Sequence, residues 1–261
     1  FAYSRIFKFH NLQKSKNIKF VDKYKNKIEY KNVPIKTVGV YVPSNLPSTL
    51  LMNVIPAKIA GVKKIIVANP KLNGKLNSAV MYAAKKCGVK EIITCGGAQA
   101  IGSLAYIQQV NKITGPGNDY VAKAKQLVSG DVGTESMIAG PSEICIVADK
   151  KTKINEITTS LLGQSEHDEN SQSILVTKHK DLINKVKNDI KNNINKLSRK
   201  KIISKSLKNH GLIVLCKNDK QIIDVINEIS PEHLEINVSN YNKYINKICN
   251  AGSICIGKYS P

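Results

Sequence analysis

Two short segments in the second half of the chain carry the side chains best suited to chemistry. The first, Ser230-Pro-Glu-His233, places a carboxylate beside an imidazole, and such a pair can move protons near neutral pH. The same residues also suit a helix start, because Ser230 can cap, Pro231 fits the first helical position and Glu232 favours the positive end of the helix dipole. That alternative leaves His233 unexplained, so both interpretations stay open.

The second segment is Gln164-Ser-Glu-His167, which lies in a stretch predicted to be helical. Residues three apart share a helix face, so Gln164 and His167 are expected to lie side by side. A neutral imidazole is a common zinc ligand, whereas an amide is an unusual one. From these residues alone, a zinc site and a polar helix surface are both possible interpretations.

A third segment, Gly96-Gly-Ala-Gln-Ala-Ile-Gly102, could approach an anion closely through its backbone at a helix start. Glycine is also what any tight turn from strand to helix requires, so the pattern has a purely structural alternative. The dinucleotide fingerprint Gly-x-Gly-x-x-Gly and the phosphate loop ending in Gly-Lys-Ser/Thr are absent. A dinucleotide would therefore have to bind without the usual loop.

The elements that must position these residues alternate between strands and helices. Short apolar runs predict strands at 38–43, 63–68, 91–95, 111–114, 143–148, 173–177, 212–216 and 253–256. Helical spacing predicts helices at 50–60, 76–87, 98–105, 154–167, 182–197 and 222–229. This order predicts an α/β protein with two Rossmann-like, doubly wound units, mainly parallel sheets and a boundary near Gly140-Pro141. Ligands usually sit at the carboxyl ends of such strands, where Gly96-Gly97 and Gly115-Pro-Gly-Asn118 are expected.

Composition excludes several classes of function. The 40 Lys and Arg residues outnumber the 19 Asp and Glu residues, giving a formal charge of +21. This excess could attract nucleic acid, but the lysines are scattered and aromatic residues make up only 5%, so neither a stacking platform nor a nucleic-acid partner is expected. No apolar run approaches the roughly 18 residues that span a bilayer, so no membrane segment is predicted. None of the six cysteines forms a Cys-x-x-Cys pair, and buried reduced thiols in a reducing compartment are expected.

Taken in order, the motifs of the whole chain resemble those of the histidinol dehydrogenase family. The matching segments are Gly39-Val-Tyr-Val-Pro43, Leu51-Met-Asn-Val-Ile-Pro-Ala-Lys58, Thr94-Cys-Gly-Gly-Ala-Gln-Ala-Ile101, Gly115-Pro-Gly-Asn118, Ala139-Gly-Pro-Ser-Glu143, Gln164-Ser-Glu-His167, Ser230-Pro-Glu-His-Leu-Glu235 and Ala251-Gly-Ser253. The joint pattern is specific, because it preserves both the residue types and their order along the chain.

The resemblance implies oxidation of L-histidinol to L-histidine through L-histidinal, in two NAD-dependent steps with zinc positioning the substrate. It implies that Glu232 and His233 are the catalytic pair, and that zinc is bound by Gln164 and His167. The NAD contacts it implies are Tyr41, Gln99 and Asn118, and the substrate contacts are Ser142, Gln164, His167 and His233. By the same resemblance, residues 40–141 form the NAD-binding domain, and residues 1–39 with 142–261 form the domain with the zinc and catalytic residues.

The resemblance also sets expectations about what lies outside this stretch. The chain begins at Phe1 and is expected to be part of a longer protein, with an Asp and a His beyond Pro261 completing the zinc site. A homodimer in the cytoplasm, or in a plastid of a eukaryote, is expected as well. The segments after Pro43 and between Tyr106 and Lys112 are shorter than in the family, close to the expected NAD site. The alternative function is that of a degenerate, non-catalytic α/β binding protein derived from this enzyme.

Overall fold

The structure, a computed structural model, describes residues 1–135 and 141–257. Contacts between residues group the chain into two units, Phe1–Ala139 and Gly140–Pro261. Gly140, at the boundary predicted from the sequence, lies outside the described residues.

The first unit is built around a parallel four-stranded sheet, whose strand order is β5-β4-β3-β6. A helix and an antiparallel hairpin precede the sheet; these are α1 (Ala2–Leu12), β1 (Ile18–Val21) and β2 (Lys27–Tyr30). The sheet strands are β3 (Thr37–Tyr41), β4 (Lys64–Ala68), β5 (Glu91–Ile93) and β6 (Lys112–Thr114). The helices around it are α2 (Pro47–Ile59), α3 (Ser78–Lys86), α4 (Gly97–Gly102), the π-helical turn Ser103–Ile107 and α5 (Asp119–Val128).

Both faces of this sheet are buried. Successive side chains of a strand point to opposite faces, and Val38 and Val40 of β3 pack with α2 and α3 residues such as Leu50 and Val80. Tyr41 faces the other way, into the cluster that contains Leu104 and Val121. The two-sided cover explains why these strands are almost uninterrupted runs of apolar residues.

The second unit contains a parallel five-stranded sheet, whose order is β11-β10-β7-β8-β9. Its strands are β7 (Glu143–Ala148), β8 (Gln172–Thr177), β9 (Gly211–Leu215), β10 (His233–Asn237) and β11 (Ser253–Ile256). The helices are α6 (Ile154–Ser165), α7 (Lys180–Ile194), α8 (Lys200–His210), α9 (Asp219–Ile229) and α10 (Asn242–Ile245). Cys145 and Val147 of β7 pack on the α9 side, and Ile144 and Ile146 on the α6 side. The prediction of two doubly wound α/β units with mainly parallel sheets is confirmed.

The helix start that was one of two interpretations of Ser230 is wrong. Ser230 instead ends α9 in the left-handed conformation, with φ 52°, and His233 begins β10. The reason is tertiary, because Leu234 and Ile236 are fully buried in the sheet interior. His167 also differs from prediction, since α6 ends at Ser165 and His167 lies in the turn that follows.

Several elements escaped prediction, and the predicted helix 182–197 ends earlier, at Ile194. The missed elements are α1, β1, β2, α5, α8, β10 and α10. Residues 1–39 group with the first unit rather than with residues 142–261, because α1 packs on α2 and β3 pairs with β4 and β6.

Three of the cysteines, Cys87, Cys145 and Cys216, are buried as expected, whereas Cys249 is exposed. Among the described residues, no helix is both long and apolar enough to cross a membrane.

Candidate functional site

In the first unit, the predicted NAD contacts follow strands at the carboxyl edge of the sheet. From β3, the sheet extends through β4 to β5 on one side, and β6 lies on the other side of β3. The direction in which strands are added therefore reverses between β3 and β6. Such a switch point opens a crevice at the carboxyl ends of the strands, where ligands bind in open α/β sheets. Tyr41 ends β3 and Gly115 directly follows β6, so both border this crevice.

The loop after β6 presses closely against the end of β3. Gly115 has φ +111°, and a Cβ atom built there would lie 2.0 Å from the carbonyl oxygen of Tyr41. A Cβ atom on Gly117 would lie 2.3 Å from Cγ1 of Val121 in the first turn of α5. Glycine is therefore required at both positions by close approach, which accounts for the Gly-Pro-Gly pattern.

Tyr41 links the end of β3 to the turn that begins α4. Its ring is buried in the core, and its hydroxyl accepts a hydrogen bond of 3.3 Å from the N–H of Gly97. Gln99 lies exposed in the first turn of α4. Asn118 is exposed at the N-cap of α5, where its Oδ1 accepts a 3.2 Å hydrogen bond from the N–H of Val121. The fold thus brings all three predicted contacts to one sheet edge, and their roles stay predictions.

Asn69 is a residue of this edge that the sequence reasoning missed. It follows β4, is fully buried, and donates from Nδ2 to the carbonyl oxygens of Val42 at 3.0 Å and Pro43 at 3.1 Å. Its Oδ1 is buried without a hydrogen-bond partner in the described structure. Asn69 therefore holds the segment that follows Tyr41. The available signal was a polar residue directly after a buried strand.

In the second unit, the predicted residues gather at the opposite, amino edge of the sheet. Glu232 and His233 open β10, Ser142 precedes β7, and Gln164 lies in the last turn of α6. Because α6 connects two parallel strands, it runs back from the carboxyl end of β7 to the amino end of β8. The end of α6 is consequently carried to the same edge as the start of β10.

Structural hydrogen bonds occupy the carboxyl edge of this second sheet. Asp149 accepts hydrogen bonds from the backbone N–H and hydroxyl of Ser239, at 2.8 and 3.0 Å. Asp219 is bound by Lys178, Lys243 and the hydroxyl of Tyr244, and hydrogen bonds from Lys178 and then Lys243 lower the pKa of its carboxyl. These contacts join the loops after the strands to each other.

The backbone of Glu143 holds both members of the predicted catalytic pair. Its N–H donates to Oε2 of Glu232 at 3.4 Å, and its carbonyl oxygen lies 3.2 Å from Nδ1 of His233. A carbonyl oxygen can only accept, so Nδ1 carries the proton and Nε2 of the neutral ring is left with a free lone pair. Both side chains are about half exposed, at 48% for His233 and 47% for Glu232. The geometry leaves Nε2 of His233 available as a base.

Two carboxyl groups near this pair escaped the sequence reasoning. Burial, followed by the negative charge of Glu232, raises the pKa of Glu143. Burial also raises the pKa of Glu235, which is 9% exposed on β10 two residues after His233. Because alternate residues of a strand share a face, Glu235 lies on the same sheet face as His233.

The zinc interpretation rests on the end of α6. Nε2 of Gln164 is buried and has no hydrogen-bond partner among the described residues. An amide binds a metal ion through its oxygen, so Oε1 of Gln164 is the atom that would face zinc. His167 is exposed one turn later, and its N–H donates to the Gln164 carbonyl oxygen at 3.1 Å. An amide and an imidazole fit two positions of a zinc site, which normally has three or four protein ligands. Within residues 1–135 and 141–257, no three His, Cys, Asp or Glu side chains form a metal-binding cluster.

Ser142, the predicted substrate contact, is half-buried directly before Glu143. Its carbonyl oxygen accepts a 3.0 Å hydrogen bond from the N–H of Gln172, which ties the starts of β7 and β8 together. Ser142 is therefore anchored through its backbone at the same edge as Glu232 and His233.

Comparison with known proteins decides the family. The family model described as histidinol dehydrogenase matches residues 1–261, the whole length of the sequence. The chain belongs to the histidinol dehydrogenase family. The resemblance inferred from the ordered motifs is thereby confirmed.

Individual relatives agree with this assignment. The chain is 53% identical over 266 residues to the histidinol dehydrogenase of Pelagibacter ubique, covering 99% of this chain and 62% of that protein. It is 43% identical over 267 residues to the histidinol dehydrogenase of Acinetobacter baylyi, covering 100% of this chain and 62% of that protein. The crystal structure of histidinol dehydrogenase from Elizabethkingia anophelis superimposes with a TM-score of 0.93 at 35% identity, covering 99% of this chain and 61% of that one. The chain therefore spans about 62% of the length of the curated relatives it matches.

Proposed function

We propose that this chain is part of a histidinol dehydrogenase that oxidises L-histidinol to L-histidine, through L-histidinal, in histidine biosynthesis. The observation that carries the proposal is that the backbone of Glu143 contacts the side chains of both Glu232 and His233. The histidinol dehydrogenase family model matches the chain over residues 1–261. This arrangement supplies a base with a defined free nitrogen beside a carboxylate, which suits removal of a hydroxyl proton.

His233 is the residue proposed to accept the hydroxyl proton in each oxidation. Its Nδ1 proton is engaged by the carbonyl oxygen of Glu143, so the incoming proton goes to Nε2. Glu232 is proposed to take a proton from the water that adds to the aldehyde, because its carboxylate is half exposed and lies 3.6 Å from Nδ1 of His233. Overall, the alcohol and one water give a carboxylate and release protons, while four electrons leave in two steps.

Gln164 and His167 are proposed to hold zinc together with ligands from outside the described residues. Zinc would orient the imidazole and amine of the substrate, and NAD, near Tyr41, Gln99 and Asn118, would accept hydride. A homodimer and a cytoplasmic or plastid location belong to the same proposal and rest on the resemblance.

The decisive experiment uses the full-length protein with zinc, NAD and L-histidinol, and measures NADH and histidine together. Two NADH formed per histidine, and loss of turnover on chelation, are the expected results. Absence of NADH from a folded, zinc-loaded protein would contradict the proposal and favour the non-catalytic binding protein. The short segments after Pro43 and Tyr106 would then be examined first.

A histidine variant and a matched control test whether His233 is the base. In His233→Asn the amide nitrogen can still donate to the Glu143 carbonyl oxygen, but the base at Nε2 is gone. We expect kcat to fall by about 10²–10⁴-fold, the usual contribution of a general base. The matched control is His210→Asn, at the end of α8 in the same unit, which should keep normal turnover. Equal activity of both variants would remove His233 from the proposed mechanism.

A further inference from the structure

One ion pair binds both backbone polar groups of Gly115, the residue at the switch point of the first sheet. The Gly115 N–H donates to Oε1 of Glu135 at 2.6 Å. The Gly115 carbonyl oxygen accepts a hydrogen bond from Nζ of Lys125, and the same Nζ lies 2.6 Å from Oε2 of Glu135. The three groups form a closed ring of hydrogen bonds.

Burial distinguishes this pair from ordinary surface ion pairs. The Lys125 side chain is 11% exposed and that of Glu135 is 38% exposed. In the same unit, Lys64 and Glu91 form a pair whose side chains are 50% and 47% exposed. Placing a lysine in the interior is costly unless the charge is paired and hydrogen-bonded. The buried Lys125 ammonium therefore depends on Glu135 and on the Gly115 carbonyl oxygen as its partners.

The loop after β6 has no regular secondary structure of its own. Gly115 has φ +111°, a conformation that glycine adopts freely but does not prefer over others. The next residue, Pro116, has no N–H to donate. The helix α5 begins only after Asn118, so residues 115–118 lie outside regular secondary structure. Within this segment, Glu135 and Lys125 bind the N–H and the carbonyl oxygen of Gly115.

We propose that Lys125 and Glu135 are positioning residues of the dinucleotide site, which hold the Gly115–Asn118 loop in the shape that receives NAD. This inference rests on the proposed function, because Asn118 and Tyr41 are predicted NAD contacts on that basis. The ring holds Gly115 against the end of β3, where its Cα approaches the Tyr41 carbonyl oxygen. When a loop is already ordered before the ligand binds, binding does not have to include the free-energy cost of ordering it. The Lys125–Glu135 pair should therefore increase the affinity for NAD.

The test measures NAD affinity separately from stability, because Glu135→Gln alone leaves the buried charge of Lys125 unpaired. Glu135→Gln abolishes the charge of one partner, and the double variant Lys125→Met with Glu135→Gln removes both charges. Replacing both partners of a buried pair is often neutral for stability, whereas removing one is destabilising. In the full-length protein, the double variant is expected to melt near the wild-type temperature and still bind NADH at least ~10-fold more weakly.

The readouts are the Kd for NADH by fluorescence titration, the KM for NAD and for L-histidinol, and hydrogen exchange of peptides containing Gly115. The expected pattern is a raised Kd and KM for NAD, an unchanged KM for L-histidinol, and faster exchange at Gly115. Glu91→Gln is the matched control, since it makes the same substitution in the exposed pair and should leave all readouts unchanged.

The outcomes distinguish a failure of this inference from a failure of the proposed dehydrogenase function. Wild-type NADH affinity in the double variant would overturn the positioning role and leave the proposed dehydrogenase intact. Failure of the wild-type protein to bind NADH at all would overturn the proposed cofactor, and the positioning role with it. Equal weakening by Glu91→Gln would show a general charge effect and would also refute the role of this pair.

Discussion

Gly115→Ala is expected to be among the most damaging single-methyl additions in the first unit. The residue has φ +111°, and its new Cβ atom would lie 2.0 Å from the carbonyl oxygen of Tyr41, a backbone atom that cannot rotate away. Strained backbone of this kind costs about 1–3 kcal/mol in a residue with a side chain. Forcing atoms into a packed site costs a further ~1–3 kcal/mol. The free energy of unfolding should therefore fall by roughly 2–6 kcal/mol.

The matched control is Gly102→Ala, which makes the same chemical change in the same unit. Gly102 has φ −60° at the junction of α4 and the π-helical turn, and a Cβ atom there would meet nothing within 4 Å. Alanine restricts the unfolded chain more than glycine does, so this variant should be stabilised by about 0.5–1 kcal/mol. The two substitutions are thus predicted to have effects of opposite sign.

The assay is thermal unfolding by circular dichroism, with peptide-resolved hydrogen exchange to assign the change to the first unit. For a unit of this size, about 4 °C of Tm corresponds to 1 kcal/mol, so Gly115→Ala should lower the Tm by about 8–24 °C. NADH affinity should fall as well, because the loop carrying Asn118 is displaced. If Gly115→Ala lowers stability by less than about 1 kcal/mol relative to Gly102→Ala, the close approach inferred at the switch point is refuted.

Three further predictions follow from buried polar groups. Burial raises the pKa of Glu235, so its carboxylate destabilises the fold fully above the folded-state pKa and not at all below the unfolded-state pKa. In urea unfolding, the free energy of unfolding of Glu235→Gln should therefore rise relative to that of the wild type as the pH is raised from about 4 to 7. A pH-independent difference would contradict that cause. Burial raises the pKa of the Cys145 thiol to about 12. Iodoacetamide at pH 8 should therefore label the exposed Cys249 rapidly and Cys145 only after unfolding, which mass spectrometry of the labelled peptides would measure. Asn69→Ala should lower the free energy of unfolding by roughly 2–4 kcal/mol, since two carbonyl oxygens after β3 lose their donor; an unchanged urea midpoint would argue against that contact.

Much of the architecture could be predicted from local pattern. The runs ending at Tyr41, Ala68, Ala148 and Thr177 are apolar because both faces of each parallel sheet are covered, and that pattern is visible in one dimension. The ten-residue helix α5 was missed, although its apolar residues Val121, Ala124 and Val128 recur at helical spacing.

The candidate site residues could be named from the sequence and stay predictions, whereas their arrangement could not be predicted. The motifs containing Gln164, Glu232 and His233 depend on residue type and order, so they identified the family without any knowledge of contacts. The local signal at Ser230 was compatible with a helix start, because a cap residue followed by proline looks the same whether a helix or a strand comes next. Burial of Leu234 between neighbouring strands decided for the strand.

The sequence by itself determined the family, the α/β class and the side chains available for chemistry. Only the tertiary structure decided that His233 meets the backbone of Glu143, 90 positions earlier, and that Lys125 and Glu135 enclose Gly115. Only the tertiary structure, too, decided that the predicted NAD contacts lie at the carboxyl edge of the first sheet, and that Glu232 and His233 lie at the amino edge of the second. The physical reason is that periodicity records which face of an element is buried, whereas partners distant in sequence are chosen by strand order and packing.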